Sequence, residues 1–500
     1  MDRPQLPLGD HVQLLLKNGL LARPGEPLKA DLGRTVSAVT CDSATAVPGC
    51  LFLCKGAAFK RDYLLEAQRR GAFCYVSETD YAVGIPCLLV TDIRRAMGLL
   101  ADLAWGHPSG ALTVVGITGT KGKTTTAYFL KSILDLWREE RGERPVGLLS
   151  TLVTDDGVQR RPAKLTTPEP LDLQRHLWNA ADAGCGYMVM EESSQALKYG
   201  RVIGVELAAA LFLNIGEDHI SPREHPDFED YFTSKLKIFD QAKAAVVNAD
   251  CDYADRVLAA AGRCETLLTC SRAADSADFY ASDLRCGPSG TVFRVKTPDF
   301  CGDLSIPLAG AFNVDNALCA LAACRLLGVP EDVMRRGLAR AAVPGRMETY
   351  RGGDRTVIVD YAHNGMSLTA LLKTVRADFP GAPVTVVFGC TGGKWLDRRE
   401  GMGTAAGRYA DTVFLTEDDP GPEEVADICA DVGRYVTAAG GAFTVIPDRT
   451  EAVRAAIQTA PAGAVVVLSG KGSETEQKRK NGPAPCPSDG MLAQKYLERL

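Results

Sequence analysis

The run Val114-Val115-Gly116-Ile117-Thr118-Gly119-Thr120-Lys121-Gly122-Lys123-Thr124-Thr125-Thr126 constrains the fold more than any other part of the chain. An apolar stretch leads into spaced glycines and then into a helical pattern, which predicts a strand, a tight loop and a helix. Glycines at 116, 119 and 122 let backbone N–H groups crowd around phosphate oxygens. The helix behind them offers its positive N-terminal end, Lys123 supplies a cation, and Thr124 supplies a hydroxyl able to hold magnesium. A P-loop of ordinary spacing has glycine where Ile117 stands, so this is a variant loop, G-x-x-G-x-x-G-K-T. It predicts an α/β domain that holds a nucleoside triphosphate on Gly119, Thr120, Lys121, Gly122, Lys123, Thr124 and Thr125.

At 500 residues the chain exceeds what one core supports, and two to four domains of roughly 100 to 200 residues are expected. Hydrophobic residues make up 46% and charged residues 24%, and the formal charge of -6 argues against nucleic acid as the partner. Apolar runs such as Leu207 to Leu213 fall far short of the roughly 20 residues of a membrane span. The start, Met1-Asp2-Arg3-Pro4-Gln5, has no basic patch followed by an apolar segment. A cytoplasmic monomer without membrane or nucleic-acid partners is expected. The sixteen cysteines include no C-x-x-C pair, and buried free thiols are expected, as at Cys185, Cys319 and Cys390. Cys50 and Cys54 are too few and too isolated for zinc.

Three blocks are predicted: 1–110, a small α/β unit; 111–343, strands alternating with helices from the loop onward; and 344–500, a second doubly wound sheet beginning after a seam at Pro344-Gly345. In such open sheets ligands bind beyond the carboxyl ends of the strands. The stretch from Gln477 to Asp489, rich in Lys, Pro and Gly, reads as a loop.

Within the second block, strand Tyr187-Met188-Val189-Met190 ends in Glu191, followed by Glu192-Ser193-Ser194. A strand-tip carboxylate near a P-loop is where magnesium is held, although Ser193 or Ser194 could instead cap a helix. Strand Leu211 to Asn214 leads to Glu217-Asp218-His219, and Tyr231 and Lys235 share one helix face at i, i+4. Taken alone, Lys235 reads as a solvated charge.

Together, the loop, Glu191 with Ser193-Ser194, Asn214 with Asp218-His219, and Tyr231-x-x-x-Lys235 resemble the Mur ligase superfamily of ATP-dependent amide-forming enzymes, in the family's order. The likeness continues through Gly310 to Ala317, Val343 to Glu348 and Val359 to Asn364. Cys41-Asp42-Ser43 through Phe52 looks like the element that opens the UDP-sugar-binding domain of the MurE branch. Thr166-Thr167-Pro168, Gly389 to Arg399, Thr416 to Pro420 and Gly470-Lys471-Gly472 also look like that branch.

The resemblance implies three domains, namely a UDP-binding α/β domain, a central P-loop parallel sheet and a Rossmann-like C-terminal domain. It implies ATP and two magnesium ions as cofactors, and UDP-MurNAc-L-Ala-D-Glu and a free amino acid as substrates. ATP would convert the D-glutamate carboxylate to an acyl phosphate, which an amine then attacks. Lys123, Lys235, His219 and Glu191 are the implied catalytic residues, with Thr124, Glu191, His219 and a carbamylated Lys235 as metal ligands. Asn313, Arg346 and Asp360 would contact the nucleotide. Ser43, Thr166, Thr167, Ser194 and Arg201 would contact the muramoyl-peptide, and Asp418, Asp419, Gly470 and Glu474 the amino acid.

Departures from the pattern carry information. Lys121 replaces an Asn, Ala44 an Arg, and Gln195 a His, while Glu192 stands where an apolar residue is common. Asp418-Asp419-Pro420-Gly421 lacks the arginine with which diaminopimelate-adding members make a two-pronged contact to a distal carboxylate. What remains is acidic: Glu417, Asp418, Asp419, Glu423, Glu424 and Glu474. This set favours L-lysine or L-ornithine over meso-diaminopimelate, unless Glu423 and Glu424 merely belong to the first turn of the next helix. A folylpolyglutamate or cyanophycin-type synthetase and a silent nucleotide-binding paralogue are the rival readings. The first block argues against the synthetases, and retention of Lys123, Thr124, Glu191, His219 and Lys235 against the paralogue.

Overall fold

The structure is a computed structural model that describes residues 3–24, 30–56, 58–218, 220–221, 224–287, 290–393 and 396–499. The chain divides into two compact units, one formed by Met1–Tyr280 with Asp315–Gly337, the other by Ala281–Val314 with Leu338–Leu500.

The first unit contains two sheets. The smaller has four parallel strands in sequence order, Ala38–Thr40, Cys50–Leu53, Cys74–Ser77 and Cys87–Leu89. Apolar residues run continuously along Cys50–Leu53, as expected of a strand covered on both faces. One face packs Leu51, Leu53 and Val76 with Leu8, Met97 and Leu100; the other packs Phe52 and Tyr75 with Leu64.

The larger sheet has eleven strands, of which those of the first unit run Thr266–Ser271, Ala242–Asn248, Leu207–Phe212, Thr113–Thr118, Tyr187–Glu191, Gly147–Leu149, all parallel, and end in the antiparallel strands Val153–Asp155 and Arg160–Pro162. Thr113–Thr118 lies between Leu207–Phe212 and Tyr187–Glu191. The loop that follows it therefore opens between the carboxyl ends of both neighbours. Val114, Met188, Met190, Leu207, Phe212, Tyr231 and Phe232 form the core of one face. Helix Lys123–Glu140 starts immediately after Gly122.

In the second unit a six-stranded sheet has the order Glu348–Gly352, Arg355–Asp360, Val465–Ser469, Val384–Phe388, Thr412–Leu415, Phe443–Val445, antiparallel only at the first pair. The carboxyl ends of its central strands carry Asp360, Gly470-Lys471, Gly389 and Glu417-Asp418-Asp419. One expectation is corrected here. The stretch read as a loop contains the hairpin Glu476–Arg479 with Gly482–Pro485, closed at Lys480-Asn481, and helix Asp489–Leu497 follows it. Strands this short, with two prolines in one of them, carry too little periodicity to be read. Both folds are α/β with largely parallel sheets.

Candidate functional site

The loop is shaped by its glycines. Gly119 has φ +153° and Gly122 has φ +86°, and a Cβ on Gly122 would stand 2.2 Å from Asn316 Oδ1. The strand next door fixes the other side. Asn214 accepts from the Lys121 N–H through Oδ1 at 2.8 Å and donates through Nδ2 to the Lys121 carbonyl at 3.1 Å, while its own carbonyl accepts from the Thr120 N–H at 3.0 Å. A side-chain amide pairing with loop backbone in both directions holds the loop open without using the N–H groups at the helix start.

Lys123 Nζ donates to the carbonyl of Gly119 at 2.8 Å. Lys235 Nζ donates to the same carbonyl at 2.9 Å, lies over the Tyr231 ring at 4.9 Å, and is 1% exposed. The solvated-charge reading of Lys235 therefore fails. Burial, and then the nearby Lys123 ammonium, push its pKa well below the lysine range; Asp218 pulls the other way and Lys121 adds a weaker push down. A buried amine that loses its proton readily is nucleophilic. Tyr231 also ties the helix to the loop, its hydroxyl 2.9 Å from Thr120 Oγ1.

Glu191 pairs with Ile117 across the parallel ladder and is fully buried. Its carboxylate accepts from the Thr151 N–H at 2.9 Å and from the Thr151 hydroxyl at 3.0 Å; Thr151 Oγ1 in turn lies 3.1 Å from Thr166 Oγ1. Thr167 donates to the Glu191 carbonyl at 2.9 Å and accepts from the Ser193 N–H at 3.0 Å. Ser193 caps helix Ser194–Lys198 by accepting from the Ala196 N–H. Glu191 is thus a strand-end carboxylate, and Ser193 is the helix cap. Arg201 donates to the Thr167 carbonyl at 3.3 Å and pairs with Glu169 at 2.9 Å, where Lys55 from the small sheet also arrives. Glu192 points the other way, into the core beneath Gly116, and burial pushes its carboxyl up to about 8. Ser43 opens a 3-10 turn capped by Asp42. His219 lies outside the described residues.

Thr124 and Glu191 are hard oxygen donors, buried near the helix start and the adjoining strand tip, and they suit magnesium. A carbamylated Lys235 would add a third oxygen group.

The second unit places Asn313 in the first turn of helix Phe312–Leu326, where it donates to the Ala309 carbonyl at 2.7 Å. Asp360 accepts from the N–H groups of Met347 and Ala362, both at 2.9 Å, and the Arg346 guanidinium stacks over the Tyr361 ring at 4.6 Å. The acidic set is more structured than its composition suggests. Asp419 and Glu474 both bind Lys471, at 3.0 and 2.7 Å; Glu417 binds Arg479 at 2.6 Å; Glu423 pairs with Arg399. Glu424 sits at the N-cap of Val425–Ala438, so neither Glu423 nor Glu424 is in that helix's first turn. Asp418 and Glu424 are left, among the described residues, without an ion-pair partner, and of the two only Asp418 is buried. Burial pushes the Asp418 carboxyl up to about 7, against the opposing charges of Arg449 and Lys471. Gly470 accommodates it, since a Cβ there would meet Asp418 Oδ2 at 2.3 Å.

Sequence reasoning missed His225. It is fully buried, with Nε2 3.0 Å from Ser194 Oγ and Nδ1 2.6 Å from Asp230 Oδ2. Nothing in the spacing of these residues announces that contact.

Residues 117–324 match the Mur ligase middle domain, and residues 345–472 match the Mur ligase, glutamate ligase domain. A Streptococcus sanguinis protein named UDP-N-acetylmuramoyl-L-alanyl-D-glutamate--L-lysine ligase is 39% identical over 478 residues, covering 93% of this chain and 94% of its own. An Enterococcus faecalis protein of the same name is 37% identical over 476 residues, covering 93% and 92%. A solved structure of UDP-N-acetylmuramoyl-L-alanyl-D-glutamate--2,6-diaminopimelate ligase superposes with TM-score 0.68 at 26% identity, covering 99% of both chains. MurF from Thermotoga maritima in complex with ADP shares the fold, with TM-score 0.60 at 18% identity over 92% and 96% of the two chains. With its loop, its strand-end carboxylate and these relatives along nearly its whole length, the chain belongs to the Mur ligase family.

Proposed function

We propose that this chain is an ATP-dependent ligase that joins L-lysine to the D-glutamate of UDP-MurNAc-L-Ala-D-Glu in the cytoplasm, with residues 1–110, 111–343 and 344–500 as its nucleotide-sugar, ATP and amino-acid blocks. The observation that carries the reading is the buried Lys235 reaching the carbonyl of Gly119 inside the phosphate loop, with Glu191 on the adjoining strand. The names of the 37–39% identical relatives support lysine as the amino acid. Among the described residues no helix is long and apolar enough to cross a membrane.

ATP supplies the phosphoryl group that turns the glutamate carboxylate into an acyl phosphate, an electrophile that an amine can attack. The chain's part is to bind, orient and neutralise. Backbone N–H groups at the helix start, from Gly122 to Thr125, and the ammonium of Lys123 face the phosphates. Thr124, Glu191, His219 and a carbamylated Lys235 would hold two magnesium ions, which offset the charge that gathers between phosphate and carboxylate. Asn313 and Asp360 contact base and ribose, and Arg346 reaches phosphate. Ser43, Thr166, Thr167, Ser194 and Arg201 hold the muramoyl-dipeptide. Asp418 receives the ammonium of the incoming lysine, because its acidic neighbours Glu417, Asp419 and Glu474 already hold Arg479 and Lys471.

The test is incubation of the chain with UDP-MurNAc-L-Ala-D-Glu, ATP, magnesium and a panel of amino acids, with products read by mass. A lysine adduct is expected. A diaminopimelate adduct instead would overturn the specificity, and the absence of any amide the whole reading.

A further inference from the structure

Ser194, His225 and Asp230 form a line of side chains in the first unit to which the proposed chemistry assigns only one end. Ser194 is 4% exposed and His225 fully buried. His225 is also fixed from the side, its ring edge-on to Tyr231 at 5.2 Å, and Tyr231 is bound to Thr120 of the phosphate loop. Lys198 Nζ donates to Asp230 Oδ2 at 2.6 Å and to the Glu224 carbonyl at 3.2 Å. Burial works against charge on Asp230, but the hydrogen bonds from Lys198 and His225 outweigh it and hold the carboxyl below the usual range. An ionised carboxylate only accepts, so His225 Nδ1 carries the proton it shares with Asp230. In the neutral ring Nε2 is then an acceptor, and the proton it receives at 3.0 Å is that of the Ser194 hydroxyl.

We infer that His225 and Asp230 are positioning residues that commit the Ser194 proton to the imidazole, so that Ser194 Oγ meets the peptide substrate as a hydrogen-bond acceptor for an amide N–H. The inference rests on the muramoyl-peptide reading above for the identity of that substrate. Its physical content is the direction of one hydrogen bond. A serine without such a partner rotates its proton to suit whatever approaches; here that freedom is removed, which lowers the ordering cost of binding an N–H and disfavours a competing acceptor.

Two measurements on the full chain test this. With nitrogen-15 in its histidines, the His225 resonances, assigned by their loss in His225→Phe, are expected to show the neutral Nδ1–H tautomer and a shift of Nε2 in Ser194→Ala. An Nε2–H tautomer, or an Nε2 unmoved by Ser194→Ala, overturns the inference, and because no substrate is present this holds whether or not the ligase reading survives. In the ligation assay His225→Phe is expected to raise KM for UDP-MurNAc-L-Ala-D-Glu about tenfold with KM for ATP unchanged. His225→Gln, which keeps a polar group near the Nε2 position, is expected to recover part of that loss. Ser194→Ala combined with His225→Phe should be no worse than the poorer single variant; additive losses would mean that His225 acts other than through Ser194.

Discussion

Lys123 and Lys235 share one acceptor: the Gly119 carbonyl oxygen receives the first ammonium at 2.8 Å and the second at 2.9 Å. The residues come from different helices, 112 positions apart in the chain, and meet because strand Thr113–Thr118 ends against the helix that carries Tyr231 and Lys235. Two cations on one carbonyl repel each other, and the buried one is the easier to deprotonate.

Lys235→Ala is accordingly expected to lower ligation by about 10² to 10³-fold, the usual cost of losing a group that stabilises developing charge, while ATP still binds through the loop. Nucleotide affinity by calorimetry beside turnover by ADP release separates the two. Full activity in this variant would refute the assigned role.

Gly122→Ala should damage the loop twice over. The left-handed backbone at φ +86° costs an alanine about 1 to 2 kcal/mol, and the new methyl would collide with Asn316. Lower thermal stability together with weakened ATP binding is expected. Removing the obstacle with Asn316→Ala should restore only part of either property, since the dihedral penalty remains.

Asp418 gives the chain an uncommon pH dependence. Its folded pKa, about 7, lies above the value near 3.9 of an unfolded aspartate, so between these pH values the folded state binds more protons and stability falls as pH rises, by about 1.4 kcal/mol per unit. Asp418→Asn should flatten that slope in denaturant titrations from pH 4 to 7. Recognition runs in the opposite sense. An ionised Asp418 attracts an ammonium, so KM for lysine should fall as pH rises through about 7, and Asp418→Asn should raise it and abolish the trend.

The buried pair of Arg449 and Asp489, bidentate at 2.8 and 2.7 Å, fastens helix Arg449–Thr459 to the start of helix Asp489–Leu497. Arg449→Met strands a carboxylate and should cost about 3 to 5 kcal/mol. Joint replacement of both residues by apolar ones should cost less than the single change. Chemical denaturation measures both, and equal losses would show that packing, not the ion pair, dominates.

The phosphate loop, the alternation of strands with helices and the strand-end Glu191 were legible in the residues, because glycine spacing and apolar period are local properties that every turn of backbone must obey. The hairpin of Glu476–Arg479 with Gly482–Pro485 was not, since two four-residue strands, one of them holding two prolines, carry almost no period. The acidic cluster was legible as a composition but not as a pocket. Only the fold shows that Lys471 and Arg479 hold three of its members and Arg399 a fourth, leaving Asp418 as the buried one without an ion pair. Likewise Ser194 and His225 are 31 positions apart and touch only because the backbone returns to the sheet beside helix Ser194–Lys198. The sequence by itself determined which chemistry the chain carries, through motifs whose geometry is set within a few residues. The tertiary structure decided which of those groups are paired and which are left to act, because burial and ion pairing depend on side chains that packing alone brings together.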